Sequence, residues 1–180
     1  MQRIFLVGPM GSGKTAVGRQ LAMALSLEFR DTDVEIEQRT GVDIPYIFDK
    51  EGEAGFRQRE REAIDTLTQL DKVVIATGGG AILLPENRQH LRSRGCVVYL
   101  RTSVEQQLER TRSTRNRPLL FTEDPKQRLA DLMTIRGPLY ESTATLTVDT
   151  DSRRVTTVVE DILHKLDLIA RQPDQCPQNA

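Results

Sequence analysis

Short apolar runs alternate with amphipathic segments along the chain. Four runs are clear, at 4–7, 73–76, 96–100 and 144–148, and a weaker one lies at 27–30. Each has the length of a strand buried on both faces, and the segments between them carry apolar residues at helical spacing. This alternation predicts an α/β fold with a central parallel sheet of about five strands, covered by helices on both faces in three layers.

A phosphate-binding motif follows the first apolar run directly. Gly8 to Thr15 fits the pattern of Gly, four free positions, Gly, Lys and a hydroxyl residue. Glycines allow successive N–H groups to turn inward and cradle phosphate oxygens, Lys14 can reach the β- and γ-phosphates, and Thr15 can place its hydroxyl on Mg²⁺. Gly-rich turns also occur where nothing binds, but the strand before and the amphipathic segment after favour nucleotide binding.

Size and composition predict one compact domain. The chain has 180 residues, 28% charged residues and a formal net charge of -1, so it has no overall attraction to nucleic acid or anionic membranes. No apolar run approaches the roughly 20 residues that span a bilayer. Met1 leads almost directly into the first strand, which leaves no room for a signal peptide. We therefore expect a soluble, cytoplasmic protein with no nucleic-acid or membrane partner.

Polar residues follow the strands where a ligand would bind, because ligands in such sheets lie beyond the carboxyl ends of the strands. Asp31 and Asp33 follow the second run. They are candidates for the ligand edge, but Asp is also a common helix N-cap. Thr77 and three glycines, 78–80, follow the third run. Consecutive glycines are costly to order, so a backbone lying close against a ligand explains them best.

Charged pairs mark a helix predicted from 49 to 70. Arg57 and Glu60 are three residues apart, as are Arg59 and Glu62. Such pairs are typical of a solvated helix face, yet an Arg that binds a carboxylate beside an orienting Glu has the same spacing. Both interpretations remain open from the residues alone.

Arginines cluster again between 110 and 117. The cluster has no interleaved aromatics, so a mobile lid over the phosphates, at about 112–124, is a better interpretation than nucleic-acid contact. Pro125 begins another predicted helix that ends at Arg136, before Gly137 and Pro138. The polar residues 171–180 are predicted to be a disordered tail.

Six motifs in this order make the chain resemble the shikimate kinases, of the nucleoside monophosphate kinase-like P-loop group. They are Gly-Pro-Met-Gly-Ser-Gly-Lys-Thr at 8–15, Asp31-Thr-Asp33, Gly55-Phe-Arg57 with Glu60, Thr77-Gly-Gly-Gly80, Arg117-Pro-Leu-Leu120 and Arg136-Gly-Pro-Leu-Tyr140. The resemblance covers nearly the whole chain up to about residue 168. It implies a single P-loop kinase domain at 1–170, with a substrate-binding segment at about 31–62 and a mobile lid.

The resemblance also implies an activity, which is ATP-dependent phosphorylation of the 3-hydroxyl of shikimate in the route to chorismate. ATP would bind Gly11, Ser12, Gly13, Lys14, Thr15, Ala16, Arg110 and Arg117, with Arg110 against adenine and Arg117 on the transferring phosphate. Mg²⁺ would bind Thr15 and Asp31. Shikimate would bind Asp33, Arg57, Gly79 and Arg136, with Glu60 orienting Arg57. Lys14, Asp33 and Arg117 would be the catalytic residues, and we expect a monomer.

Two alternatives stay open. A related small-molecule kinase, such as one for gluconate, is the first, although the two-arginine carboxylate clamp with the triple glycine favours shikimate. A nucleotide-binding switch is the second alternative. A GTPase switch would carry an Asn-Lys-x-Asp guanine-binding motif, which this sequence lacks.

Overall fold

The computed structural model describes residues 3–112 and 123–171. Arg117, nearly all of the predicted lid and residues 172–180 of the predicted tail lie outside these residues. Within the described residues the chain forms five strands and seven α-helices. The strands are β1 (Arg3–Val7), β2 (Glu28–Asp31), β3 (Val73–Ala76), β4 (Cys96–Arg101) and β5 (Leu146–Asp149); the helices are α1 (Lys14–Leu25), α2 (Thr32–Thr40), α3 (Ile44–Leu67), α4 (Pro85–Arg94), α5 (Val104–Thr111), α6 (Pro125–Thr143) and α7 (Val155–Arg171), with a short 3₁₀ helix at Ala81–Leu83.

The strands form one sheet in the order β2-β3-β1-β4-β5, and every neighbouring pair is parallel. Ala76 at the end of β3 lies opposite both Leu6 and Asp31, so β1, β2 and β3 end at the same edge. The connection from β1 runs to one side of the sheet and that from β3 to the other. Such a divergence opens a crevice at the carboxyl ends of the strands.

Two hydrophobic cores lie on opposite faces of the sheet. Leu6 and Val98 pack toward α1 and α7, whereas Phe5 and Val97 pack toward α3, α4 and α6. Consecutive strand residues alternate between faces, so these short apolar runs supply both cores. The predicted three-layer α/β fold is confirmed. No helix of the described residues is long and apolar enough to cross a membrane.

Helix α3 begins at Ile44, five residues before the predicted start. Asp43 caps it by accepting a hydrogen bond from the Tyr46 N–H at 2.9 Å, and Pro45 occupies the first turn. Asp-x-Pro is a helix-start signal that the charge pattern further along obscured. A break at Gly52, with φ 69° and ψ −177°, divides the helix, and the part that carries Arg57 follows the break.

Helix α6 does not end at Arg136, so the prediction that placed Arg136 at a helix end was wrong. The helix continues through Pro138 to Thr143, and the Ala144 N–H still donates to the Tyr140 carbonyl at 3.0 Å. A proline inside a helix costs about 3 kcal/mol. Burial of the large Tyr140 side chain beyond the proline offsets this cost. Helix α7 likewise reaches Arg171, one residue into the predicted tail.

We predict that Asp43→Ala lowers the free energy of unfolding by about 1 kcal/mol, because the cap of α3 is lost. Asp43→Ser keeps a side-chain oxygen that can cap the helix, so it should lower the free energy of unfolding by only a few tenths of a kcal/mol. Chemical denaturation of the two variants measures the difference. Equal stability of Asp43→Ala and the parent protein would contradict the assignment of the cap.

Candidate active site

A cavity of about 500 Å³ lies where β1, β2 and β3 end. It brings together twelve of the fourteen predicted site residues; they are Gly11, Gly13, Lys14, Thr15, Ala16, Asp31, Asp33, Arg57, Glu60, Gly79, Arg110 and Arg136. Ser12 is buried within the loop and does not line the cavity. Arg117 lies outside the described residues.

The loop between β1 and α1 forms one wall of this cavity. Gly11 and Gly13 have φ values of 76° and 87°, in the left-handed region that other residues rarely adopt. Gly13 occupies the N-cap position of α1, but no side chain there accepts a hydrogen bond from the first turn. The first N–H groups of the helix therefore remain available. An exposed helix N-terminus with inward-turned amides is suited to phosphate.

Lys14 holds its ammonium group against this loop. Its Nζ donates to the carbonyl oxygens of Gly8 at 2.8 Å and Pro9 at 2.7 Å. The Ser12 Oγ is 3.3 Å away. These contacts place a positive charge at the loop that would cradle phosphate, as the motif predicts.

Thr15 and Asp31 lie together at the same edge. The Thr15 hydroxyl donates to Asp31 Oδ2 at 2.8 Å, while Asp31 Oδ1 accepts from the Asp33 N–H at 3.0 Å and caps α2. Asp31 is therefore both a helix cap and a ligand-edge residue. Among the described residues, no three His, Cys, Asp or Glu side chains are grouped to bind a metal. A hydroxyl and one carboxylate nevertheless fit Mg²⁺, which usually takes its other ligands from phosphates and water.

Asp33 lies deeper in the cavity. Its Oδ1 is buried and has no hydrogen-bond partner among the described residues. Burial, with the charges of Asp31 and Glu60, raises the pKa of Asp33 to about 7, against an opposing effect of Lys14. A carboxyl with such a pKa can accept a proton near neutral pH.

Arg57 and Glu60 form a buried ion pair. Arg57 Nη1 lies 2.6 Å from Glu60 Oε2, with side chains 11% and 0% exposed, and Arg57 Nη2 lies 3.0 Å from Glu53. Burial alone would lower the pKa of Arg57, but Glu60 and Glu53 hold it above its usual range. Burial raises the pKa of Glu60, and Arg57 opposes this. The alternative of a solvated helix face is wrong for this pair, whereas Arg59 does face solvent and pairs with Glu51.

Arg136 is a buried cation with no counter-ion among the described residues. It is 4% exposed, and no carboxylate of the described residues lies within ion-pair distance. Burial lowers the pKa of Arg136, and the positive charge of Arg57 lowers it further. A Cβ at Gly79 would lie 3.7 Å from Arg136 Nη1, so this guanidinium is close to the glycine backbone. A buried, unpaired guanidinium at a cavity wall is suited to an anion.

The glycine segment 78–80 is anchored on several sides. The Gly78 N–H donates to Thr32 Oγ1 at 2.9 Å, and the Gly78 carbonyl accepts from Ala81 at 3.1 Å. The amide N–H groups of Gly79 and Gly80 have no acceptor among the described residues, although both glycines line the cavity. These two donors are available for a ligand.

Arg110 connects two loops around the cavity. It donates to the Gly11 carbonyl at 3.1 Å and to the Thr150 carbonyl at 2.7 Å. The phosphate loop is thereby tied to the loop after β5. These contacts use the edge of the guanidinium group, so contact of its flat face with adenine stays a prediction.

An apolar wall of the cavity was missed by the sequence analysis. Ile44 and Phe48 lie one helical turn apart on α3, and the Phe48 and Phe56 ring centroids are 4.9 Å apart. The start of α3 was placed too late to include the first two. The Asp43-Ile-Pro helix-start signal, with apolar residues at i and i+4, was the available indication.

Comparisons with known proteins agree with this geometry. The profile of the family described as shikimate kinase matches residues 10–167. Shikimate kinase of Methylococcus capsulatus is 55% identical over 163 residues, covering 91% of each chain. That of Thioalkalivibrio sulfidiphilus is 58% identical over 159 residues, covering 88% of this chain and 84% of the relative.

Solved structures show the same relationship. Shikimate kinase from Acinetobacter baumannii in complex with shikimate has a TM-score of 0.91 at 51% identity and covers 92% of this chain and 93% of its own. A gluconokinase from Sinorhizobium meliloti has a TM-score of 0.60 at 19% identity, covers 94% of each chain and shares the fold alone. Fold and loop define a P-loop kinase. Within that class, the chain belongs to the shikimate kinase family.

We predict that Gly78→Ala damages the site. An added Cβ would touch Glu60 Oε1 and lie 3.0 Å from Asp33 Oδ1, so two buried carboxylates would have to move. Overpacking of this kind costs about 1–3 kcal/mol, and we expect at least a hundredfold loss of kinase activity.

The matched control is Gly137→Ala, because a Cβ there meets only Met133 Cε at 3.8 Å. Thermal unfolding and steady-state kinetics of both variants test the prediction. Activity of Gly78→Ala within threefold of the control would contradict it.

Proposed function

We propose that this protein transfers the γ-phosphoryl group of ATP to the 3-hydroxyl of shikimate, giving shikimate 3-phosphate and ADP. The observation that carries this proposal is Arg136, a buried guanidinium at the cavity wall with no carboxylate partner among the described residues. An acceptor with a carboxylate would supply the missing counter-charge, and shikimate has one carboxylate and several hydroxyls.

The nucleotide end of the site is formed by the phosphate loop. Backbone groups of Gly11, Ser12, Gly13 and Ala16 lie at the start of α1 and would hold phosphate oxygens. Lys14 would move from the loop carbonyls to the β- and γ-phosphates. Phosphoryl transfer depends mainly on positioning and charge neutralisation, and this cation supplies both.

Two further arginines belong to the proposed ATP site. Arg110 lines the cavity beside the phosphate loop and would contact adenine. Arg117 would reach the transferring phosphate from the lid and is assigned by family resemblance.

Thr15 and Asp31 would hold Mg²⁺, since their oxygens already meet at the loop. When bound, Mg²⁺ neutralises charge on the β- and γ-phosphates. The remaining contributions come from the chain itself, which positions the phosphates through the loop and the acceptor through the opposite wall.

The acceptor end combines charge and shape. Arg57 and Arg136 would bind the carboxylate, with the Gly79 backbone beside them, and Glu60 would keep Arg57 oriented. The apolar wall of Ile44, Phe48 and Phe56 is suited to the carbon ring. Asp33 would bind the acceptor hydroxyls and take the proton of the attacking one, in keeping with its raised pKa.

Three further proposals concern the whole molecule. We propose one kinase domain over 1–170, a monomeric state and a cytoplasmic location. The single sheet with continuous cores on both faces supports the first. The other two stay predictions.

The experiment that tests the function is a coupled ADP-release assay with ATP and Mg²⁺. Parallel reactions contain shikimate, gluconate or no acceptor. We expect release that depends on shikimate. Release with gluconate alone, or equal release without an acceptor, would overturn the proposal.

We predict that Lys14→Met abolishes turnover, with kcat reduced at least a thousandfold, because the phosphates lose a cation that stabilises the transition state. Lys50→Met, at an exposed lysine on α3 paired with Asp49, is the control for loss of a surface charge. Near-normal kcat in Lys14→Met would contradict the role of this residue.

We predict that Arg136→Ala raises the KM for shikimate about 10- to 100-fold. This change corresponds to the free energy of one charge-assisted hydrogen bond, which the variant would lose. The KM for ATP should change less than threefold. Arg94→Ala, at a partly buried arginine that pairs with Asp65 outside the cavity, is the matched control. A larger change in the KM for ATP than for shikimate would contradict the assignment.

A further inference from the structure

Tyr140 does not line the cavity, yet it is one of the most completely buried side chains of the described residues. It is 0% exposed, and its ring stacks on that of Tyr99 in β4, with centroids 5.0 Å apart and planes 18° apart. Its hydroxyl donates to the Gly79 carbonyl. Tyr140 extends from α6 through the core that the sheet shares with α3, α4 and α6, and it contacts one peptide group of the cavity wall.

That hydrogen bond determines the direction of a neighbouring amide. The Gly79 carbonyl and the Gly80 N–H belong to one planar trans peptide and point in opposite directions. Tyr140 thereby directs the Gly80 N–H away from itself, and that N–H has no acceptor among the described residues. The preceding peptide is fixed separately, because the Gly78 carbonyl accepts from Ala81. Glycines have the widest backbone freedom, so an outside anchor matters most at this segment.

Tyr140 also lies near the cation that has no carboxylate partner among the described residues. Arg136 is one helical turn earlier on α6, and its positive charge opposes the rise in the pKa of Tyr140 that burial causes. Burial raises the pKa of Tyr140, so the hydroxyl stays protonated and can donate over the range of kinase assays. Tyr140 thus holds the glycine peptide that lies beside the Arg136 guanidinium, where the acceptor carboxylate would bind.

We propose that Tyr140 is a positioning residue for the acceptor site, which fixes the 79–80 peptide beside the Arg136 guanidinium in the arrangement that binds the carboxylate of shikimate. This inference rests on the proposed function. It assigns to Tyr140 an effect on acceptor binding and none on ATP, since Tyr140 does not line the cavity and its hydroxyl bonds to Gly79, with no hydrogen bond to the phosphate loop or Asp31 among the described residues.

The test is Tyr140→Phe, which removes the hydroxyl and keeps the ring. We expect the KM for shikimate to rise about tenfold, because the Gly79 carbonyl loses its donor. The kcat and the KM for ATP should stay within twofold. Tyr99→Phe is the matched control, since it removes a hydroxyl from the other ring of the same stack and should leave all three constants within twofold.

A second readout does not depend on activity. In ¹H–¹⁵N spectra, Tyr140→Phe should shift the Gly80 amide and increase its hydrogen exchange, whereas Tyr99→Phe should not. If Tyr140→Phe folds poorly, the solvent exchange of the Tyr140 hydroxyl proton is measured in the parent protein instead. We expect that proton to be protected from solvent exchange, and rapid exchange would overturn the inference.

The kinetic outcomes also separate this inference from the proposed function. If Arg136→Ala raises the KM for shikimate and Tyr140→Phe does not, the carboxylate site stands and the role of Tyr140 is wrong. If Tyr140→Phe lowers thermal stability and kcat but leaves the KM for shikimate unchanged, its role is structural only and the inference fails. If neither variant changes the KM for shikimate, the roles of both residues are wrong, whereas the proposed function fails only if ADP release does not depend on shikimate.

Discussion

Burial of charge at the end of the sheet is the constraint on which the site depends. Two arginines and two carboxyl groups lie beneath the glycine segment, and removing such groups from water is costly unless they are paired. Arg57 and Glu60 satisfy one another at 2.6 Å, whereas Arg136 has no such partner among the described residues. Arg136 therefore lacks a paired carboxylate among the described residues, and a carboxylate-bearing acceptor would supply one.

The parallel sheet brings this acceptor end to the phosphate loop. Because β1, β2 and β3 end in register, the loop after β1, Asp31 and Asp33 at the end of β2 and the start of α2, and the glycines after β3 share one cavity. The glycines permit the close approach, since a side chain at Gly78 or Gly80 would meet the carboxylates or the Arg57 guanidinium. The phosphate loop, the Thr15 and Asp31 oxygens and the buried arginines thus lie within one cavity of about 500 Å³.

Most of the fold could be predicted from the sequence, because five short apolar runs and the phosphate loop carry strong local signals. The sequence could not predict which charged pairs are buried and which face solvent. Arg57–Glu60 and Arg59–Glu62 have the same spacing, but only the first is a buried pair, since tertiary packing determines which helix face is covered. The end of α6 was misplaced because Pro138 is a strong local breaker, and the burial of Tyr140 that outweighs it is a long-range effect. Long-range packing also explains why the anchor on Gly79 was not foreseen.

The most direct test of the account is the affinity of the protein for shikimate compared with an analogue in which a hydroxymethyl group replaces the carboxylate. Titration calorimetry measures both without turnover. We expect the analogue to bind at least 30-fold more weakly, because Arg136 would stay buried without a paired carboxylate in that complex. Equal affinity for the two compounds would show that the buried guanidinium does not bind the acceptor, and would contradict the central claim.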